Sequence, residues 1–471
     1  MKSSPESMKI TKFKSPLYWV IAIIAVFTFS SCSESKSKVI LNHDVLSECN
    51  LAIQNAIVLD ATNPPVGSRR YFYASVAAYQ AIQPFSGDLL SLSGQLKDLE
   101  FNASPDTSKG YCLDLVALAA YTSTAKALVW KEDSVVAFRN RKLEYYKSEL
   151  SNQVYQNSLS WGDSVSSLIV KWAKKDSFNE TRGVDLYLAK NDAHYWQPTP
   201  TEYMQALEPN WKKIRPTLIP SANYFRNTLP KPADYKIQPI SKSVDSEGNE
   251  FIKYKSLNPE FDKLMIEVYN ESKNLDSNKI RIARYWDDNP NSTFHYGHAT
   301  IKVLKVSPVG HWLSMFSTVA RNKKYSLFES VEGMVRLSAA IFDGFIAAWD
   351  AKYHYEYVRP VNAIRMHMDS SWLPLIETPA FPEYPSAHSV ISSAAATVLT
   401  HMFGEYEFTD SAEMEFGLGT RHFKNFRSAS DEACLSRLYG GIHFREGIEN
   451  GKFLGNAIGE HHIKSLKTRK K

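Results

Sequence analysis

Cysteine is scarce: the chain of 471 residues holds four. One of them, Cys32, belongs to the leader. The other three, Cys49, Cys112 and Cys434, are an odd set, which argues against a disulfide framework and leaves room for one bridge at most. No cysteine spacing matches a zinc site. A strong charge of one sign is also missing. The formal net charge is +5, and Lys2, Lys9, Lys12 and Lys14, against Glu6, carry much of it, so the body is close to neutral. That excludes a nucleic-acid footprint. No long apolar run follows the leader, which excludes a multi-span membrane protein. A phosphate-binding Gly-rich loop, a Gly-x-Ser-x-Gly elbow and a His-Glu-x-x-His pair are all absent, and so is any repeat period.

What is present begins with an export signal over residues 1–32. Lysines precede the apolar run Leu17–Phe29, too short to span a bilayer with ease. Phe29-Ser30-Ser31-Cys32 has the form of a lipoprotein cleavage site, with Cys32 the acylated residue and Ser33–Lys38 a polar tether. The expectation is an exported protein, anchored to a membrane through lipid and facing the periplasm or cell surface.

The body reads as all-α, two packed helical bundles. Residues 45–257 form the first. Leu46–Leu59, Tyr71–Ile82, Tyr111–Trp130, Ser134–Leu150 and Ser151–Lys175 show apolar residues every three to four positions, with loop over 86–109. Prolines at 198, 200, 209, 216, 220, 230, 232 and 239 break residues 177–257 into a wrap. Trp196 and Trp211 predict that it packs on the bundles, as structure first and as part of a substrate mouth second. Residues 258–465 form the second bundle. It has helices at Glu260–Asn274 and Lys279–Trp286, one opening near Gly310-His311-Trp312, and a strong one over Ser326–Lys352. His295, His298 and His311 are expected to be loop or interface histidines. The pair His461-His462 and the basic tail from Lys464 are expected at the surface.

Within Ser326–Lys352 the residues Met334, Leu337, Ile341, Phe345 and Trp349 make one apolar stripe, and Lys352 continues it. Its ammonium points inward and requires an opposite charge. Asp343 and Asp350 lie off the stripe and are expected to face solvent. Pro360 disfavours helical geometry at Arg359, which places that guanidinium in the loop closing the helix. Further on, Phe381-Pro382-Glu383-Tyr384-Pro385 leads into Ser386, and Val390, Ile391, Ala394, Ala395, Val398 and Leu399 mark a helix starting there. Ser386 is either a simple cap or part of an anion site formed by the helix N-terminus. The last helix, from about Ile442, carries Gly447, Gly451, Gly455 and Gly459, a bare stripe for close helix contact. His443 stands at its head.

Three segments thus offer three fixed cations, one hydroxyl and two imidazoles, an inventory suited to a tetrahedral oxyanion. The motifs Lys352-x6-Arg359-Pro360, Pro385-Ser386-Ala387-His388 and Ser436-Arg437-x5-His443 resemble the three-part signature shared by vanadium-dependent haloperoxidases and type 2 phosphatidic acid phosphatases. Two departures stand out: Ala387 where the family usually has Gly, and Gly447 where many phosphatases carry Asp. The resemblance implies vanadate as cofactor, held by Lys352, Arg359, Ser386, Ala387, Arg437 and His443. The same resemblance implies His443 as the metal ligand, with His388 and Lys352 joining it as catalytic groups. Trp349, Phe381 and, more weakly, Tyr296 would line a halide pocket. Hydrogen peroxide and iodide or bromide are the implied substrates. The alternative is a histidine-dependent phosphatase acting on small phosphomonoesters, against which the missing carboxylate at 447 weighs, since Glu446 is one residue out of register. A third reading is a non-catalytic helical lipoprotein that binds a ligand. Asp287 or Asp288 is a candidate partner for Arg437.

Overall fold

The computed structural model describes residues 44–470 except 185, 245–249, 291 and 297, and the side chains of some further residues in two hairpins are not described. The leader and Cys32 lie outside these residues. The first helices are α1 (Val45–Leu59), α2 (Pro64–Ile82), α3 (Leu113–Leu128), α4 (Asp133–Glu149) and α5 (Asn152–Ala173). Then come α6 (Pro259–Lys273), α7 (Ser277–Tyr285), α8 (Pro308–Asn322) and α9 (Leu327–Tyr355). The chain closes with α10 (Pro360–His367), α11 (Ala387–Phe403), α12 (Phe426–Tyr439) and α13 (Arg445–Ser465). Small antiparallel hairpins decorate them: β1 (Ile237–Val244) with β2 (Glu250–Ser256), β3 (Thr293–Tyr296) with β4 (Ala299–Lys302), and β5 (Phe408–Asp410) with β6 (Arg421–Phe423). The architecture is helical, and no helix among the described residues is long and apolar enough to cross a membrane.

Helix α9 is the central post. Ser326 and Glu329 form a reciprocal capping box at its start, and Glu356 ends it in the left-handed region at φ +48°. Helices α2, α8, α11 and α13 all pack on α9. It therefore has hardly any solvent face, which overturns the expectation for its two aspartates. Asp343 is fully buried and Asp350 nearly so. Asp343 accepts the backbone N–H groups of Thr217 at 2.7 Å, Leu218 at 2.9 Å and Ile219 at 3.1 Å, plus the Thr217 hydroxyl at 2.9 Å. His462 reaches the same carboxylate at 3.0 Å, so His462 is a core residue and not half of a surface pair. Asp350 pairs with Arg226 at 2.7 Å.

These contacts also explain the proline-rich segment. The described residues of 177–236 have only isolated 3-10 turns as helix, yet Trp196 and Trp211 are buried. The backbone of residues 217–219 is satisfied by the Asp343 side chain of α9. The segment is strapped down at Asp343 and Asp350, as a structural wrap should be, and at Leu207 it also reaches the site below.

Helices α11 and α13 approach backbone to backbone. A Cβ added at Gly451 would stand 2.7 Å from the Ser386 carbonyl, and one at Gly459 would stand 3.0 Å from that of Ala394. The glycine stripe is the price of this contact, each Gly costing up to about 1 kcal/mol relative to Ala in a helix interior. Helix α13 starts at Arg445, later than expected, because Gly441 turns the chain at φ +76°. The basic tail is docked, in contrast to the frayed end expected. Thr468 is buried, its carbonyl accepts from Leu90 N at 2.8 Å, and Arg469 pairs with Glu332 at 2.7 Å. Cys49, Cys112 and Cys434 are buried and free.

Candidate active site

The C-terminal end of α9, the turn before α11 and the turn before α13 meet. Lys352 is fully buried, on the stripe as expected, and donates to the carbonyls of Pro382 and Glu383 at 2.8 Å each. Arg359 is the N-cap of α10, and Pro360 opens that helix. Its guanidinium donates to the carbonyls of Phe381 at 2.9 Å, Ile442 at 2.8 Å and Pro379 at 3.2 Å. Arg437 leaves the end of α12 and donates to the Trp286 carbonyl at 2.6 Å. Three cations in so little water are strained electrostatically. Burial, and the nearby Arg359, hold the Lys352 ammonium well below its ordinary range. Burial brings Arg359 down to about 9 against the pull of Glu383, and it lowers Arg437 as well.

Ser386 caps α11, its hydroxyl oxygen accepting from Ser389 N at 3.3 Å. It is also fully buried, and its O–H remains available as a donor beside the first amides of the helix. Ala387, His388, Arg437 and His443 line one cleft, of about 640 Å³ including its open mouth. Trp349 and Phe381 line the same cleft, with ring centroids 4.9 Å apart. Leu207 and Met204 from the wrap complete the apolar mouth. Trp349 is fixed by donating its indole N–H to the Leu207 carbonyl at 3.2 Å. Tyr296 falls on β3, where the side chain is not among those described.

The two imidazoles differ in their partners. His443 is bonded on both sides: Arg359 Nη1 lies 3.2 Å from Nε2, and Glu383 Oε1 lies 2.7 Å from Nδ1. Guanidinium only donates, so Nε2 is the acceptor and Nδ1 carries the proton. Burial, then Arg359, Lys352 and Arg437, push His443 well below its ordinary range, so the ring is neutral. His388 is likewise held low by burial and by Arg437. Its Nε2 is buried without a hydrogen bond, 4.0 Å from Asp288. Arg437 Nε, a donor, is likewise buried without a partner. Unmatched polar atoms of this kind are uncommon in folded proteins. Here they belong to a cleft that Arg437 lines, with Lys352 and Arg359 buried next to His443 and Phe381 of its wall, so the residues present fit a small oxyanion such as vanadate or phosphate.

Glu383 is the residue the sequence analysis passed over. It is buried, and burial pushes its carboxyl up to about 7 against the influence of Lys352 and Arg359. It also corrects the case made against a phosphatase, because His443 does have an orienting carboxylate. The signal was the charged residue inside the otherwise stiff Phe-Pro-Glu-Tyr-Pro loop. Glu446 turns the other way, accepting from Ala233 N at 2.9 Å.

Asp287 and Asp288 lie near Arg437 and bias its charge, but their close partners are other groups. Asp287 pairs with Lys305. Asp288 pairs with His311, whose ring lies between Asp288 at 2.9 Å and Asp410 at 2.7 Å. Of the two places expected for it, His311 takes the interface and not a loop: it is a buried helix residue stacked on Trp286, with a centroid distance of 4.5 Å. Its two carboxylates outweigh burial and keep it protonated.

Comparison with known proteins agrees with this geometry. A family model described as the VCPO second helical-bundle domain matches residues 333–470. The fold matches the structure of a bacterial vanadium-dependent iodoperoxidase with a TM-score of 0.79 and 33% identity, over 90% of this chain and 97% of that one. A holo-type bacterial vanadium-dependent chloroperoxidase matches at TM-score 0.62 and 16% identity, over 86% and 92%. Its apo-type counterpart matches at 0.61 and 15%, over 86% and 94%. No match was found among the curated proteins.

Proposed function

The chain belongs to the family of vanadium-dependent haloperoxidases, and from that premise we propose that it oxidises iodide with hydrogen peroxide in the cleft between α9, α11 and α13. The observation that carries the reading is that Arg437 Nε and His388 Nε2, both buried without a hydrogen bond, belong to residues lining the same cleft as the neutral His443. Lys352, Arg359 and Arg437 would neutralise the bound vanadate, with the Ser386 hydroxyl and the amides at Ala387 and His388 as further donors. His443 would offer as ligand the Nε2 lone pair that now accepts from Arg359, once that guanidinium turns to the anion. Vanadate, when bound, supplies the Lewis acid that makes hydrogen peroxide an oxidant toward halide. The net reaction breaks the peroxide O–O bond while the halide loses two electrons and becomes a hypohalous species.

His388 is suited to move the proton. Its neutral Nε2 takes a proton from incoming hydrogen peroxide and returns it to the oxygen that departs as water. Trp349 and Phe381 narrow the mouth and limit water around the halide. Iodide is preferred in this reading because the relative sharing a third of its residues is an iodoperoxidase. We place the enzyme outside the cytoplasm, anchored through lipid at Cys32; labelling with palmitate, lost in Cys32→Ser, checks the anchor.

The test is iodide oxidation by purified protein, first stripped of vanadate and then supplied with it. Activity is expected only after orthovanadate is added, and not in His443→Ala. Turnover of p-nitrophenyl phosphate without vanadate, inhibited when vanadate is added, would favour the phosphatase reading instead.

A further inference from the structure

Glycine at 447 and glutamate at 383 occupy one space between them. A Cβ built on Gly447 would stand 2.8 Å from Oε2 of Glu383 and nearer still to Oε1. Any side chain at 447 therefore collides with the carboxylate that holds His443. The residue that carries it is fixed through its backbone and through Oε1. The Glu383 N–H donates to the Tyr357 carbonyl at 3.0 Å, and its own carbonyl accepts from Lys352 at 2.8 Å. Oε1 receives the Phe444 N–H at 3.1 Å as well as the His443 ring at 2.7 Å. Ser386 N donates to the Gly447 carbonyl at 2.9 Å, which ties the loop carrying Glu383 to the first turn of α13.

We infer that Glu383 is the positioning residue for His443: its carboxylate fixes the Nδ1–H tautomer and aims Nε2 into the cradle, and glycine at 447 is the room that carboxylate needs. The orienting charge comes from the loop before α11 rather than from α13. Glu383 touches neither substrate nor cofactor; it acts through the ring. The inference rests on the reading of His443 as the vanadate ligand, but the tautomer is a property of the protein alone. The same carboxylate supplies the opposite charge that buried Lys352 and Arg359 need before an anion arrives.

The test has two arms. In the first, apo-protein is labelled with ¹⁵N-histidine, and His443→Gln identifies the His443 signals. Wild type is expected to show a neutral ring protonated at Nδ1, and Glu383→Ala a mixture of tautomers. In the second, vanadate binding is measured by equilibrium dialysis. Glu383→Ala is expected to weaken it by roughly 10–100-fold, as loss of an outer partner of a ligating histidine usually does. Glu383→Ala combined with Gly447→Asp grows a carboxylate into the vacated space from the other side, and is expected to regain about tenfold or more of that loss, where a merely structural role for Glu383 predicts no such rescue. Should Glu383→Ala alone fail to fold, the double variant decides. An Nε2–H ring in wild type, or a folded double variant no better than His443→Ala at binding vanadate, overturns the inference. If wild type binds no vanadate, the cofactor reading fails while the labelling arm still judges Glu383.

Discussion

Two of the buried charges on helix α9, Asp343 and Lys352, stand nine residues apart and have opposite fates. Asp343 is saturated: three amides, a hydroxyl and an imidazole converge on its two oxygens. Lys352 sits in a cluster with loose ends, where Arg437 Nε and His388 Nε2 lack partners and cations outnumber the carboxylate of Glu383. Burial alone does not separate scaffold from site. Charge balance does: donors meet both oxygens of Asp343, whereas the cations around Lys352 outnumber the one carboxylate and leave a place for an anion.

The comparison breaks most sharply under single substitutions. Asp343→Ala leaves His462 and the amides of residues 217–219 without their acceptor, and is expected to cost about 3–5 kcal/mol of stability, read as a lower urea midpoint. The fraction still folded should bind vanadate with unchanged affinity. Arg437→Met is expected to give the reverse. Its loss removes a charge-assisted bond of about 1.5–3 kcal/mol to the anion, a weakening of roughly 10–100-fold by dialysis, while the urea midpoint stays close to wild type.

Smaller effects sharpen the contrast. Gly455→Ala drives a methyl group into the Val390 backbone and is expected to cost about 1–3 kcal/mol, with little change in binding per folded molecule. The pH dependence follows from Asp343. Burial raises its carboxyl, but His462 and the amides of Thr217 and Leu218 outweigh burial and hold it below its ordinary 3.8. A depressed carboxyl contributes stability that is full above the unfolded value and fades as pH falls through it. Urea midpoints measured from pH 5 down to pH 3 should therefore fall less steeply in Asp343→Ala than in wild type.

Much of this was legible beforehand, for identifiable reasons. The stripe ending at Lys352, the cap at Ser386 and the four glycines of α13 follow from local periodicity, and each stands where the spacing put it. Asp343 and His462 were misplaced because a stripe argument assumes an opposite face open to water. A post surrounded by α2, α8, α11, α13 and the wrap has no such face. Glu383 was missed for another reason. Its partner His443 is 60 residues away in the chain, and only the vacancy at 447 hints that a carboxylate arrives from elsewhere.

The central claim is that three distant segments enclose one tetrahedral oxyanion, and equilibrium dialysis of vanadate against apo-protein tests it most directly. One vanadate per chain, displaced by phosphate and lost in His443→Ala, is the result expected. Absence of saturable binding, or binding that His443→Ala leaves untouched, would contradict it.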